Sequence, residues 1–176
     1  MRLRPFWLNK ADLVTSAVCL EPKGLILRSV FAVAATSDLE DFLWEKLRGI
    51  PSMFSATPLT SKEPLQHLYN ENAMWMLVDT VGLVGIDMRT VLMPNIHVVF
   101  WDKRLRGREP IGRAICDWVL EFFSAPVITT QMPASSKATL AWTKRVGFEI
   151  TGWHSCSTYD SKGELDDLVE LAYRGD

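Results

Sequence analysis

The chain has 176 residues, 48% of them apolar and 23% charged, with a formal charge of −2 at pH 7. That length supports one hydrophobic core without staples, and the balanced charge gives no electrostatic footprint for nucleic acid or a membrane surface. Cys19, Cys116 and Cys156 form no close pair, which suggests neither a disulfide framework nor a zinc site, and their odd count fits a reducing, cytoplasmic compartment.

The apolar stretch near the N-terminus is broken by Asn9, Lys10 and Asp12 before it forms a signal-peptide core, and no segment approaches the roughly 20 apolar residues of a membrane span. The first 36 residues carry no clear period. Ser37 to Gly49 reads as a helix, with acidic residues in its first turn, Leu39, Phe42, Leu43 and Leu47 at helical spacing, and Gly49 and Pro51 as stops. A second helix is expected from Ser61 to Asn70. Ala73–Thr80 and Val81–Val91 are rich in apolar and β-branched residues and predict a β-hairpin. Ile96–Trp101 is almost wholly apolar, which predicts a central strand buried on both faces. Ile111, Ala114, Ile115, Trp118, Val119 and Phe122 form one apolar stripe, so Pro110–Phe123 is a helix, closed by Pro126. A strand at Val127–Met132, a helix at Ser135–Val146 ended by Gly147, a strand at Phe148–Thr158 broken at Gly152, a turn at Asp160–Gly163 and a strand at Leu165–Tyr173 complete the chain. With no internal repeat, the order is that of a mixed sheet flanked by helices in a single domain over residues 1–176.

The chemistry concentrates between Val98 and Ala114, where a buried strand leads through a basic, glycine-containing turn into an amphipathic helix. Helix N-termini present unpaired N–H groups and a partial positive charge, Gly107 and Gly112 permit close backbone approach, and Arg104, Arg106, Arg108 and Arg113 add charge-assisted hydrogen bonds. These features suit a diphosphate. A solvated basic turn whose glycines serve only its geometry is the competing reading.

Arg106-Gly107-Arg108 followed by Ile111-Gly112-Arg113-Ala114 resembles the coenzyme A loop of GNAT acetyltransferases, with the pattern Q/R-x-x-G-x-G/A, and it lies between a strand and a helix as that loop does. Ser136 to Phe148 resembles the family's later segment, in which an Asn opens a helix and Gly-Phe closes it. The resemblance is specific over Ile96–Gly152, roughly a third of the chain. It implies an α/β acyl-CoA N-acyltransferase fold: a mixed, mostly antiparallel central sheet flanked by helices, with splayed fourth and fifth strands. It implies acetyl-CoA as cofactor and direct transfer of the acetyl group to a primary amine of a small molecule or peptide, with no metal. The backbone of Val99, Phe100 and Trp101 is then expected to pair with the pantetheine arm as an added strand. Arg106, Gly107, Arg108, Ile111, Gly112 and Arg113 are expected to surround the diphosphate, and Ser136 to stand where the family's Asn contacts the cofactor. Neither nucleic acid nor membrane enters as a partner, and the reading is compatible with a homodimer.

Three positions depart from the family pattern. Glu109 stands where Gln or Arg is usual, and Pro110 follows it; the carboxylate repels phosphate and the proline removes an N–H. Ser136 replaces Asn while keeping a polar side chain suited to a cap. Thr143 occupies the place of the tyrosine that protonates the departing thiolate, and an alcohol is no substitute for a phenol as acid, leaving Tyr159 and Tyr173 as alternative donors. His97 lies near where some members carry a glutamate base, and its titration range suits that task, although a packed structural histidine is the plainer reading. Asp87 and Asp102 are weaker candidates. The rival to an enzyme is a non-catalytic protein of the same fold, a CoA-binding regulatory module or an assembly protein similar to divergent bacteriophage GNAT-like proteins.

Overall fold

The computed structural model describes residues 17–20, 25–29, 39–48, 50, 73–78, 81–87, 92–102, 109–160 and 162–175. Among them, eight strands form one sheet in the order β1-β2-β3-β4-β5-β6-β8-β7. The strands are β1 (Ala17–Leu20), β2 (Leu25–Ser29), β3 (Ala73–Val78), β4 (Gly82–Asp87), β5 (Asn95–Phe100), β6 (Ile128–Pro133), β7 (Glu149–Tyr159) and β8 (Leu165–Tyr173). Every neighbouring pair is antiparallel except β5 and β6, which are parallel. Three helices accompany them among the described residues: α1 (Leu39–Leu47), α2 (Glu109–Phe123) and α3 (Lys137–Val146). The expected helix at Ser61–Asn70 lies outside the described residues. So does the basic turn with Arg104, Arg106, Gly107 and Arg108. No helix among the described residues is long and apolar enough to cross a membrane.

Strand alternation divides the core in two. On one face, Met74, Met76 and Val78 of β3 and Val84 and Ile86 of β4 pack under α2, whose Ile111, Ile115, Cys116 and Val119 are buried at helical spacing. On the other face, Trp75, Leu77 and Leu83 meet Leu43 and Leu47 of α1, and Phe42 contacts Trp101 edge to face with centroids 5.9 Å apart. Each fully buried aliphatic side chain here contributes about 1.5–3 kcal/mol. The strands buried on both faces are therefore β3 and β4. On β5 only Ile96 is buried and His97 is exposed, although its apolar run predicts burial throughout. The reason is positional, because β6 leaves β5 after a single register pair and opens that side of the strand.

The second half of the chain follows its predicted elements closely. Gly147 ends α3 with φ 122°, and its N–H donates to Lys144 O at 3.1 Å while Phe148 N–H donates to Thr143 O at 3.2 Å. A left-handed residue that satisfies the last carbonyls is the usual reason for glycine at a helix C-terminus. The break expected at Gly152 is a register shift between Ile150 and Gly152, and a second shift falls between His154 and Thr158, so the edge strand β7 is continuous but bulged.

Candidate functional site

The sheet opens at the junction of β5 and β6. Their only register pair is Asn95 with Thr129. Around it, Asn95 Nδ2 donates to Thr129 Oγ1 at 3.3 Å, Thr129 N–H donates to Pro94 O at 3.0 Å, and the Thr130 hydroxyl donates to Ile96 O at 2.8 Å. A side chain thus takes the carbonyl that the next ladder amide would have taken, and the strands part. On the other side of β5, Trp101 N–H donates to Val81 O at 3.1 Å, which fixes the alternation: Val99 and Trp101 turn their backbone groups to β4. The N–H and C=O groups of Val98 and Phe100 therefore face the gap and have no strand partner among the described residues. An unpaired strand edge is a template for an extended ligand.

The gap is a cleft of about 570 Å³, within the size range of small-molecule sites. Its walls come from β5 (Ile96 to Phe100), β6 (Thr130 to Pro133), α2 (Gly112, Cys116) and α3 with its preceding turn (Ser136, Thr139, Trp142, Thr143, Arg145). Trp142 stands edge to face on Phe100 in its wall, with centroids 6.2 Å apart.

The structure brings together part of the residue set that the sequence singles out. His97, Val99, Phe100, Gly112 and Ser136 line the cleft. Trp101 packs on Phe42 in the α1-side cluster, and its amide is engaged by Val81. Ile111 is buried in the main core, so only its backbone can serve a ligand, and Arg113 is exposed on α2. Arg106, Gly107 and Arg108 lie outside the described residues. Two local roles differ from expectation. A Cβ at Gly112 would lie 2.7 Å from Val146 Cγ2 and 2.8 Å from the Trp142 ring, so the missing side chain is what lets α3 approach α2. Ser136 occupies the N-cap position of α3, where its carbonyl accepts Leu140 N–H at 2.9 Å, but its hydroxyl makes no cap hydrogen bond.

Electrostatics separate the candidate acids and bases. His97 is exposed to the cleft rather than embedded in the core, yet the surrounding protein displaces enough water to push its pKa below the ordinary 6.5, with Asp87 on β4 pulling the other way. Cys116 also lines the cleft, and its burial pushes the thiol far up, so it stays neutral. Neither alternative tyrosine reaches the site. The Tyr173 hydroxyl donates to Asp117 Oδ1 at 2.5 Å on the outer side of α2, and burial together with that bond pushes its pKa upward. Tyr159 is exposed at the end of β7, and Thr143 is buried against the cleft. Glu109 does not stand open as a bare negative charge. Its Oε1 accepts from Arg145 Nε at 2.6 Å, and it also accepts its own N–H, which together hold the carboxyl below its usual range.

Trp142, Arg145, Thr130 and Cys116 are site residues that motif reading does not reach. For Trp142 the signal is periodicity, since Ser136, Thr139, Trp142, Thr143 and Val146 recur at three- and four-residue steps and mark the face of α3 turned to the cleft; Arg145, Thr130 and Cys116 carry no such signal.

No family model matches the sequence, and no curated protein does. Solved structures do match in fold. A spermidine N-acetyltransferase from Vibrio cholerae in complex with CoA and spermine superposes with a TM-score of 0.68 over 85% of this chain and 94% of that chain, at 14% identity. The fold is that of the GNAT acetyltransferases. A probable acetyltransferase matches with a TM-score of 0.65 at 15% identity, over 90% of this chain and 97% of that one. A dodecameric spermidine N-acetyltransferase from Vibrio cholerae in an intermediate state gives 0.63 at 14% identity, over 85% and 93%. The splayed pair, expected as the fourth and fifth strands, is β5 and β6 here, because among the described residues five strands, β1 to β5, precede α2.

Proposed function

We propose that this chain is an acetyl-CoA-dependent N-acetyltransferase, a single domain over residues 1–176 that transfers an acetyl group directly to a primary amine of a small molecule or peptide. The observation that carries the proposal is the open edge of β5: Val98 and Phe100 present backbone donors and acceptors to a cleft of about 570 Å³. When bound, acetyl-CoA supplies an acetyl group activated as a thioester.

The chain's own groups then divide the work. The N–H and C=O groups at Val98 and Phe100 hold an extended arm as an added strand. The turn with Arg106, Gly107 and Arg108, together with the amides of Ile111 and Gly112 and the Arg113 side chain, receives the diphosphate. The Ser136 hydroxyl, not used as a cap, contacts the cofactor. His97 takes the proton from an acceptor ammonium; a lowered pKa keeps its imidazole neutral near pH 7. An amine acceptor agrees with the spermine of the Vibrio cholerae neighbour. Self-association as a homodimer is part of the same proposal, supported by the exposed edge strand β7 and by the dodecameric neighbour.

One observation favours a second reading, a GNAT-fold protein that binds CoA without turnover or serves in assembly: among the described residues no tyrosine lines the cleft. The same experiment separates the two. The melting midpoint should rise with acetyl-CoA concentration as mass action requires, and free thiol should be released with at least one amine of a mixed acceptor panel. A midpoint shift without thiol release selects the non-catalytic reading; a midpoint indifferent to millimolar acetyl-CoA removes both.

A further inference from the structure

Arg145 and Glu109 come from opposite ends of two helices. Glu109 is in the first turn of α2, Arg145 in the last turn of α3, and Nε meets Oε1 at 2.6 Å at the margin of the cleft that Arg145 lines. The guanidinium side chain is 55% exposed and uses only Nε in this pair. Its Nη donors hold no carboxylate among the described residues. A planar fork with donors to spare, beside a cleft read as a cofactor site, is suited to a phosphate group, which offers more charge and more acceptor oxygens than one carboxylate. Exposed carboxylate–arginine pairs contribute little to stability, so giving this one up is a minor loss to the fold.

We infer that Arg145 is a phosphate-binding residue of this cleft and that Glu109 is its internal competitor, a carboxylate holding the guanidinium that a ligand phosphate would otherwise take. The assignment rests on the coenzyme A reading proposed above. It gives the unusual Glu109 a definite consequence, because the glutamate weakens cofactor binding by occupying Arg145 and by adding negative charge near the site.

The test exploits a difference in sign. Glu109→Gln and Arg145→Gln each abolish the ion pair, so a merely structural bridge predicts that both change CoA affinity in the same direction. The competitor assignment predicts opposite directions in calorimetric titrations with CoA: about threefold to tenfold tighter binding for Glu109→Gln, and about tenfold or more weaker binding for Arg145→Gln. Dephospho-CoA and pantetheine identify the phosphate. Effects that survive with dephospho-CoA and vanish with pantetheine place Arg145 on the diphosphate; effects already lost with dephospho-CoA place it on the ribose phosphate. Effects retained with pantetheine, or shifts of the same sign in both variants, overturn the assignment. If Arg145→Gln fails to fold, Glu109→Gln decides alone, with unchanged or weaker binding as the overturning result. Wild-type protein that binds CoA while its variants bind equally well sinks only this assignment; wild-type protein without affinity for CoA sinks the cofactor reading and this assignment with it.

Discussion

His97 faces Gly85 across the β4–β5 ladder, and Asp87, two residues along β4, lies diagonally on the same face. Desolvation outweighs the attraction of Asp87, so the folded imidazole releases its proton below pH 6.5. Two consequences follow from that one direction. As a general base His97 is competent once neutral, so kcat/KM should climb through a pKa below 6.5 and stay level to pH 8, and His97→Gln should lose this acidic limb along with most of the rate. In stability the unfolded chain binds more protons than the folded one between the lowered value and 6.5; the contribution is complete above 6.5 and is lost as pH falls through the folded value. Denaturant titrations from pH 5 to 8 should show this slope in the wild type and a flatter one in His97→Gln, and identical slopes would mean that the imidazole titrates normally. His97 is legible in the sequence as a polar residue in an apolar strand. Its accessibility is not, because it depends on where β6 departs, and that departure is set by Thr130 donating to Ile96 O from a distant segment.

The α2–α3 contact shows what a motif can and cannot convey. Gly112 belongs to a glycine pattern and reads as room for a phosphate, but its Cα faces Val146 and Trp142. Gly112→Ala would force the rigid Trp142 ring and the β-branched Val146 to give way together, at a cost of about 1–3 kcal/mol as overpacking, measurable as a lower denaturation midpoint with an unchanged m-value. A variant as stable as wild type would mean that the helices separate freely. The same contact positions Trp142 on Phe100, so cleft shape depends on Gly112 even if no ligand touches it. Elements with strong local signals are read well from sequence: α2 from its apolar stripe, α3 from Gly147, and the β3–β4 hairpin from its β-branched runs. The strands β1 and β2 are short; β2 gains its place by pairing with β3, a long-range contact, and β1 by pairing with β2, and neither has a local period. An apolar run likewise cannot say which strand is covered on both faces: β5 is central in the sheet as expected, but β3 and β4 are the strands buried on both faces.

At the scale of the molecule, the C-terminal ribbon is the surface least explained by a monomer. Cross-strand pairing sets Ile150 against Leu171, Trp153 against Val169 and Tyr159 against Leu165, so these side chains share the face that, further along β8, enters the core. Ile150 (43% exposed), Trp153 (53%), Tyr159 (56%) and Leu165 (64%) make a mainly apolar strip on that face, bordered by the edge of β7 and interrupted by the Asp167 carboxylate, which accepts Trp153 Nε1–H at 2.7 Å. Long edge strands with exposed apolar residues invite pairing, and the bulges in β7 limit it to partners that match its twist. A second copy meets that condition by symmetry, and a stable pair buries about 1,200–2,000 Å² in total, more than the strip alone supplies, so adjoining polar residues must share the interface. Light scattering behind size exclusion should find a dimer or larger assembly for the wild type, and a monomer for the double variant Ile150→Glu with Leu165→Glu. Both positions are exposed and neither lines the cleft, so each substitution should leave stability within about 0.5 kcal/mol and CoA affinity unchanged. A wild type that stays monomeric at 100-fold range of concentrations up to about 1 mM would leave the strip without a second copy as its occupant, since an interface of standard size holds well below that concentration.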